Sequence, residues 1–220
     1  MIKKRSVRFG SYDTAAHGWT LTGWKLSDPE QKTNYIEKAG GDGSWDLSTV
    51  LTDGVPRYKD RTLTVTLECS EGTRADRELL VSHLVNLLDG LEWRIVPPDH
   101  PGHYLTGRLH VAVDQNTHAF AKVTVSGTCA PWLYSAKETS YKLAATPATQ
   151  TITLRNNGRR AIVPELTVTG SVRVAYGAAS LQMGAGTYEW PTLLLTSGSH
   201  VLEYTGAGTL IITYREAVLR

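Results

Sequence analysis

Two cysteines in 220 residues are too few to staple a fold together. Cys69 and Cys129 each end an alternating apolar run. That pattern favours two free thiols buried in a reducing compartment, with a single bridge open only if the two strand ends meet. Charge of one sign is also lacking. Lys and Arg number 23 and Asp and Glu 21, leaving a net charge of +2. So even a balance does not suit a protein that grips nucleic acid by releasing counterions, and it gives no reason to expect an anionic bilayer as partner. No stretch approaches the roughly 20 apolar residues of a membrane span. Lys3, Lys4, Arg5 and Arg8 are not followed by the apolar core of a signal peptide. The expectation is a protein made in the cytosol and leaving it only as part of a larger particle. Nucleotide and hydrolase signatures are missing too: there is no Walker loop, no nucleophile elbow and no HExxH.

What is present is strand alternation. Across Thr62–Cys69, Leu63, Val65, Leu67 and Cys69 alternate with Thr62, Thr64, Thr66 and Glu68, so one face is buried and the other wet. Leu109, Val111 and Val113 repeat the pattern, as do Ala121, Val123, Val125 and Cys129. Asp114–Thr117 and His118 lie between these last two runs and predict a hairpin turn. One helix stands out. Thr73 and Asp76 form a capping box, Leu80, Leu84, Leu87 and Leu88 recur at helical spacing, and Gly90 is a natural stop, which predicts a helix over about 74–89.

Composition shifts after Tyr134. Residues 135–150 are rich in Ser, Thr, Ala and Lys and read as a linker or strand-poor entry. Beyond them come short alternating runs at Ile152/Leu154, Leu166/Val168, Val172/Val174/Tyr176, Leu193/Leu195, Val201 and Leu210/Ile212/Tyr214. Turns are expected at Asn156-Asn157-Gly158, Gly184-Ala185-Gly186, Ser197-Gly198-Ser199 and Gly206-Ala207-Gly208. Short strands at this spacing point to a compact β-sandwich or jelly roll. The expected organisation is a domain over 1–134 and a second over 135–220, mainly β, with one helix.

Candidates for chemistry are few. Asp99, His100 and His103 are close in sequence, but a Pro- and Gly-rich turn is poor scaffolding for a metal, and the plain reading is a solvated loop. Cys69 and Cys129 lie on apolar faces, where a thiol behaves as a small hydrophobe. Gly40-Gly41-Asp42-Gly43 lacks dinucleotide-binding spacing and reads as a tight turn. Paired carboxylates that meet only in space stay open as a hydrolase reading. Neither a cofactor nor a metal is expected. A binding reading rests on Tyr176, Tyr188, Trp190 and Tyr204, of which Tyr188 and Trp190 would form a glycan platform; core packing is the plainer use of such rings. The segment from Asn34 to Asp60 has weak periodicity and many turn residues. A loop that long is unusual inside one subunit, but suits an arm reaching a neighbour.

The first half carries an ordered set of motifs: Asn34-Tyr35-Ile36-Glu37, Gly41-Asp42-Gly43-Ser44-Trp45-Asp46-Leu47-Ser48, Tyr58-Lys59-Asp60-Arg61, Leu88-Asp89-Gly90, Trp93-Arg94-Ile95, Tyr104-Leu105-Thr106-Gly107-Arg108 and Cys129-Ala130-Pro131-Trp132. In this order they resemble the distal tail protein family of phages with long non-contractile tails, also called the phage tail component family. The likeness covers about residues 1–134 and is looser beyond, through Leu154–Gly158, Pro164–Leu166 and Ile212–Leu219. Trp45 stands where that pattern has a smaller apolar residue.

The resemblance implies a structural virion protein and not an enzyme. It implies a hexameric ring at the tail tip, a tail-tube-like N-terminal domain lining a channel for DNA in transit, and a galectin-like C-terminal sandwich that docks other components. The implied partners are further copies of the chain, the tail tube and tape measure proteins, and a tail lysin, fibre or receptor-binding protein. The ring contact is expected on the arm, at Asn34, Tyr35, Gly41, Asp42, Gly43, Ser44, Trp45, Asp46, Leu47, Tyr58 and Arg61. The alternative is a carbohydrate-binding sandwich attaching to cell-wall glycans.

Overall fold

The computed structural model describes residues 5–52 and 54–220. Lys3 and Lys4 lie outside them. The chain divides into two compact units, one ending at Pro131 and the other running Trp132–Arg220. Among the described residues the architecture is mainly β with one α-helix, as the alternation and the capping box predict.

In the first unit the strands are β1 (Arg8–Phe9), β2 (Tyr12–Asp13), β3 (Thr20–Leu26), β4 (Tyr35–Glu37), β5 (Ser44–Asp46), β6 (Arg61–Cys69), β7 (Glu92–Val96), β8 (His103–Asn116) and β9 (Ala121–Cys129), with helix α1 (Arg74–Leu88) between β6 and β7. An antiparallel sheet runs in the order β2-β1-β7-β8-β9-β6-β3. Val65 pairs with Val125, and Val125 with Val111, so β-branched side chains cross three strands in one buried row. α1 packs on β8 and β9. It starts where the sequence says it should: Asp76 N–H donates to Thr73 Oγ1 at 3.2 Å, and Thr73 N–H donates to Asp76 Oδ2 at 2.9 Å. The two bonds to Asp76, from the Thr73 hydroxyl first and its amide second, hold that carboxyl below its ordinary value.

Three details of this unit differ from the expectation. The buried stripe of α1 is Arg77, Val81, Leu84 and Leu88, while Leu80 and Leu87 are only half-buried. Val113 is 50 % exposed, because β8 runs past the core and shifts register between Val113 and Gln115. The hairpin forms as expected, but Asp114–Asn116 extend β8 and the turn is 117–120, with His118 in it; Thr117 Oγ1 accepts the Ala119 and Phe120 amides, each at 3.2 Å. Arg77 closes this hairpin onto the helix: its guanidinium, 2 % exposed, donates to the carbonyls of Gly72, Thr117 and His118.

In the second unit the strands are β10 (Leu133–Ser135), β11 (Thr139–Ala145), β12 (Gln150–Asn156), β13 (Glu165–Tyr176), β14 (Ala179–Met183), β15 (Gly186–Glu189), β16 (Gly198–Tyr214) and β17 (Ala217–Val218). β13 and β16 pair along most of their length, from Glu165↔Thr213 to Ala175↔Glu203. Their two halves have different neighbours. One half, flanked by β11 and β15, forms one layer; the other, flanked by β12 and β14, forms the second. The sheet bends sharply between them, and Leu154, Leu166, Val168, Val172, Val174, Leu202, Leu210 and Ile212 fill the space inside.

The bend sits on Gly170, Gly206 and Gly208, all at positive φ. A Cβ on Gly208 would lie 1.8 Å from the Thr169 carbonyl oxygen, and one on Gly206 2.2 Å from that of Ser171. Only glycine lets the two backbones come this close. Gly206-Ala207-Gly208 is thus a corner inside one strand and not the turn its composition suggests. Residues 135–150 are not strand-poor either, since β11 pairs with β16 from Thr139↔Tyr214 to Ala145↔Gly208. At the start of β16 it is Leu202 that is buried, and Val201 points outward. Leu193 and Leu195 are buried without forming a named strand; Leu195 makes an isolated bridge to Ile162. The Asn156 side chain anchors that segment, donating to Arg160 O and Leu195 O, both at 2.9 Å, and accepting Gly158 N–H.

Candidate functional site

The connection from β3 to β6 leaves the sheet as a two-stranded stem. At its root Ser27 N–H donates to Thr62 O at 2.9 Å, Thr62 N–H donates to Ser27 Oγ at 2.9 Å, and Arg61 Nε–H donates to Ser27 O at 2.6 Å. The stem continues through Lys59 N–H to Glu30 O, the Gln31↔Tyr58 bridge and Lys32 N–H to Arg57 O, with an ion pair between Lys59 and Glu30 beside it. Beyond Asn34 the ribbon becomes β4 and β5, paired Tyr35↔Asp46, Ile36↔Trp45 and Glu37↔Ser44. Gly40 and Gly43, both at positive φ, close its tip.

Below the tip the chain is held by local polar bonds. Leu47 N–H donates to Asn34 O at 2.8 Å, Asn34 N–H to Ser48 Oγ at 2.8 Å, and Ser48 N–H to Asp46 Oδ1 at 2.9 Å. Hydrogen bonds from the Ser48 hydroxyl and then its amide pull the Asp46 carboxyl below its ordinary value.

The arm buries none of its large apolar side chains. Tyr35, Ile36, Trp45, Val50 and Leu51 are all exposed, Trp45 at 57 % and Leu51 at 96 %. In the rest of the described chain the exposed large apolar residues are scattered: Leu79, Leu91, Val113, Leu194 and Val201. Cross-strand pairing puts Ile36 and Trp45 on one face of the ribbon, and among the described residues neither β4 nor β5 has a second strand beside it. Apolar side chains in water and two open strand edges on a narrow ribbon are features that contact surfaces share.

The sequence-selected arm residues fall into two groups. Asn34, Tyr35, Gly41, Asp42, Gly43, Ser44, Trp45 and Asp46 are exposed on the outer ribbon, and Leu47 is half-buried at its base. Tyr58 and Arg61 belong to the stem and root, where Arg61 is buried in β6 opposite Cys129. Of these positions only Arg61 acts through its buried guanidinium, which fixes Ser27. Ile36, Val50 and Leu51 were missed by sequence reasoning, and Val50 and Leu51 are the most exposed apolar pair; the signal for them was bulky apolar residues in a turn-rich stretch.

Tyr188 and Trp190 are half-buried against the core of the second unit and do not stand out as an open platform. Asp99 pairs with Arg5 at 2.7 Å, and the His100 and His103 rings meet edge to face. Among the described residues no three His, Cys, Asp or Glu side chains gather as metal ligands. Cys69 and Cys129 are both free and buried, and burial pushes the Cys129 thiol up to about 12.

No protein-family model matches the sequence, and no curated protein matches it. A solved structure does match in shape. It is the Dit protein (gp 19.1) of phage SPP1, described as a paradigm of the hub adsorption apparatus of phages that infect Gram-positive bacteria. The likeness covers 96 % of this chain and 98 % of that one, with a TM-score of 0.67 at 16 % identity. So low an identity carries architecture and nothing more, but it carries it over nearly the full length of both proteins: this chain has the fold of a phage Dit hub protein.

Proposed function

We propose that the chain is a structural subunit of a phage tail hub, placed at the tip of a long non-contractile tail. The observation that carries this is the full-length match in fold to a Dit hub protein, met independently by the motif order of the first half. In this reading the subunit closes into a homo-oligomeric ring, a hexamer by the family resemblance. The arm supplies the contact: the ribbon from Asn34 to Leu47 lays Ile36 and Trp45 against a neighbouring copy, and burying those side chains drives closure. The first unit lines a channel that DNA crosses in transit. The second unit is a docking module for baseplate or receptor-binding components. Its role is assembly and not turnover.

Light scattering and electron microscopy of the purified chain test it. The expected result is a closed ring whose mass is a fixed multiple of 24.1 kDa. A strict monomer at high concentration that also fails to appear on purified tails would count against it. Deleting Gly41–Leu47 is expected to abolish the ring and leave circular dichroism and melting almost unchanged, because the large side chains of that ribbon are exposed.

A further inference from the structure

We propose that the second unit carries a binding groove for a neutral saccharide, on the outer face of the layer β12–β16–β13–β14. This goes beyond the hub role and puts glycan recognition away from Tyr188 and Trp190. Two shallow depressions lie side by side on that face beside the glycine corner, sharing Arg173 and Thr205, and together make the groove. Its floor is small: Ala175, Ala207 and Gly206 leave room for a ring to lie close to the backbone. One wall is the loop between β11 and β12, with Pro147 and Thr149, and it is fastened to the corner by Gly206 N–H donating to Thr146 O at 2.9 Å.

The polar groups of the groove are set out as a polyol requires. Arg173 faces Thr205 across the strands, and Ala175 faces Glu203. Arg173 and Glu203 are therefore diagonal neighbours on one face, with β-carbons roughly 7 Å apart, within mutual reach of two long side chains. Yet among the described residues no ion pair joins Glu203 to Arg173 or to any other cation. A carboxylate acceptor and a guanidinium donor side by side match two adjacent hydroxyls, one giving and one receiving a hydrogen bond. Two heads are already anchored: Arg173 Nη2–H donates to Ser180 Oγ at 3.0 Å, and Gln182 Nε2–H donates to Ser171 Oγ at 2.9 Å. Anchoring lowers the entropy lost on binding. One fixed charge of each sign disfavours both polyanions and polycations. A neutral, hydroxyl-bearing ring is the ligand class that these groups fit.

The full chain, labelled and applied to an array of hexose and N-acetylhexosamine oligomers, tests this, with sialylated and sulfated glycans and single-stranded DNA as the anionic arm. The expected result is binding to neutral glycans. It should weaken about tenfold or more in Arg173→Met and in Glu203→Gln, each of which removes one charged hydrogen bond, and be unchanged in Trp190→Phe. Arg173 and Glu203 are exposed, so both variants keep the fold, which circular dichroism checks. Three results would overturn the proposal: no neutral glycan bound by the folded protein, binding confined to anionic probes, or neutral binding that survives both groove substitutions.

Discussion

The tip of the arm and the corner of the second unit look alike on paper. Each is a glycine-rich stretch, Gly40-Gly41-Asp42-Gly43 in one and Gly206-Ala207-Gly208 in the other, and each reads as a turn. In the folded chain they differ in what surrounds them. A Cβ on Gly40 or Gly43 would meet nothing within 4 Å, whereas one on Gly206 or Gly208 would strike a neighbouring carbonyl oxygen. At the tip, glycine serves backbone torsion alone. At the corner it serves torsion and the close approach of two strands. The tip belongs to a ribbon whose side chains face water; the corner holds together the core of a whole unit. A local change at the tip is therefore expected to be felt by partners, and one at the corner by the fold.

The largest effect expected from this contrast is at Gly208. Gly208→Ala puts a methyl group where Thr169 O already sits, and is expected to cost more than about 4 kcal/mol. Chemical denaturation of the second unit, followed by tryptophan fluorescence or by exchange of the β13 and β16 amides, measures it; a loss under about 1 kcal/mol would show the corner to be pliable. Next comes Gly43→Ala. The residue has open space around it but positive φ, so the expected cost is torsional only, about 1 kcal/mol, and confined to exchange rates in β4 and β5. Smaller still for stability is the double change Ile36→Ser and Trp45→Ser, expected within about 0.5 kcal/mol because both side chains are already solvated. Its effect should appear in sedimentation, as loss of the oligomer. If the melting temperature falls while the oligomer persists, the ribbon packs on its own subunit and the comparison fails.

The smallest effect is one of pH. The Asp46 carboxyl is held low by the Ser48 hydroxyl and amide. A carboxyl depressed in the folded chain supports its turn fully above the ordinary carboxylate pKa, and the support is lost as pH falls through the depressed value. The protection factor of the Ser48 amide, its exchange corrected for the intrinsic pH dependence, is expected to fall only in that acid window, and Asp46→Asn should make it independent of pH.

Much of the architecture was legible because period two and capping chemistry are local. Leu63, Val65 and Leu67 need only their own strand to declare a face, and Thr73 with Asp76 needs only one turn. What was not legible depends on distant partners. β11 has outward Ser140, Lys142 and Ala144, and its composition hides the alternation of Tyr141, Leu143 and Ala145, which only the register with β16 makes visible. Gly206 and Gly208 read as a turn until Thr169 and Ser171 are seen against them. Arg77 lies at helical spacing with Val81, Leu84 and Leu88, but a guanidinium on a buried stripe becomes plausible only once three carbonyls are there to receive it. For the candidate site, the arm could be read as a segment, while its working surface could not. Exposure of Trp45 and Leu51, and burial of Arg61, are facts of packing.

The root of the arm has a mechanical consequence. β3 and β6 are adjacent strands, and the stem is their direct continuation, joined to the sheet through Ser27, Arg61 and Thr62. The base of the arm is thus braced by the sheet and is not a free tether. A load that reaches this base passes into β6, which pairs with β9 along the middle of the sheet. In a ring of such subunits, as proposed, strain at the base of one arm would be carried by the centre of its own sheet.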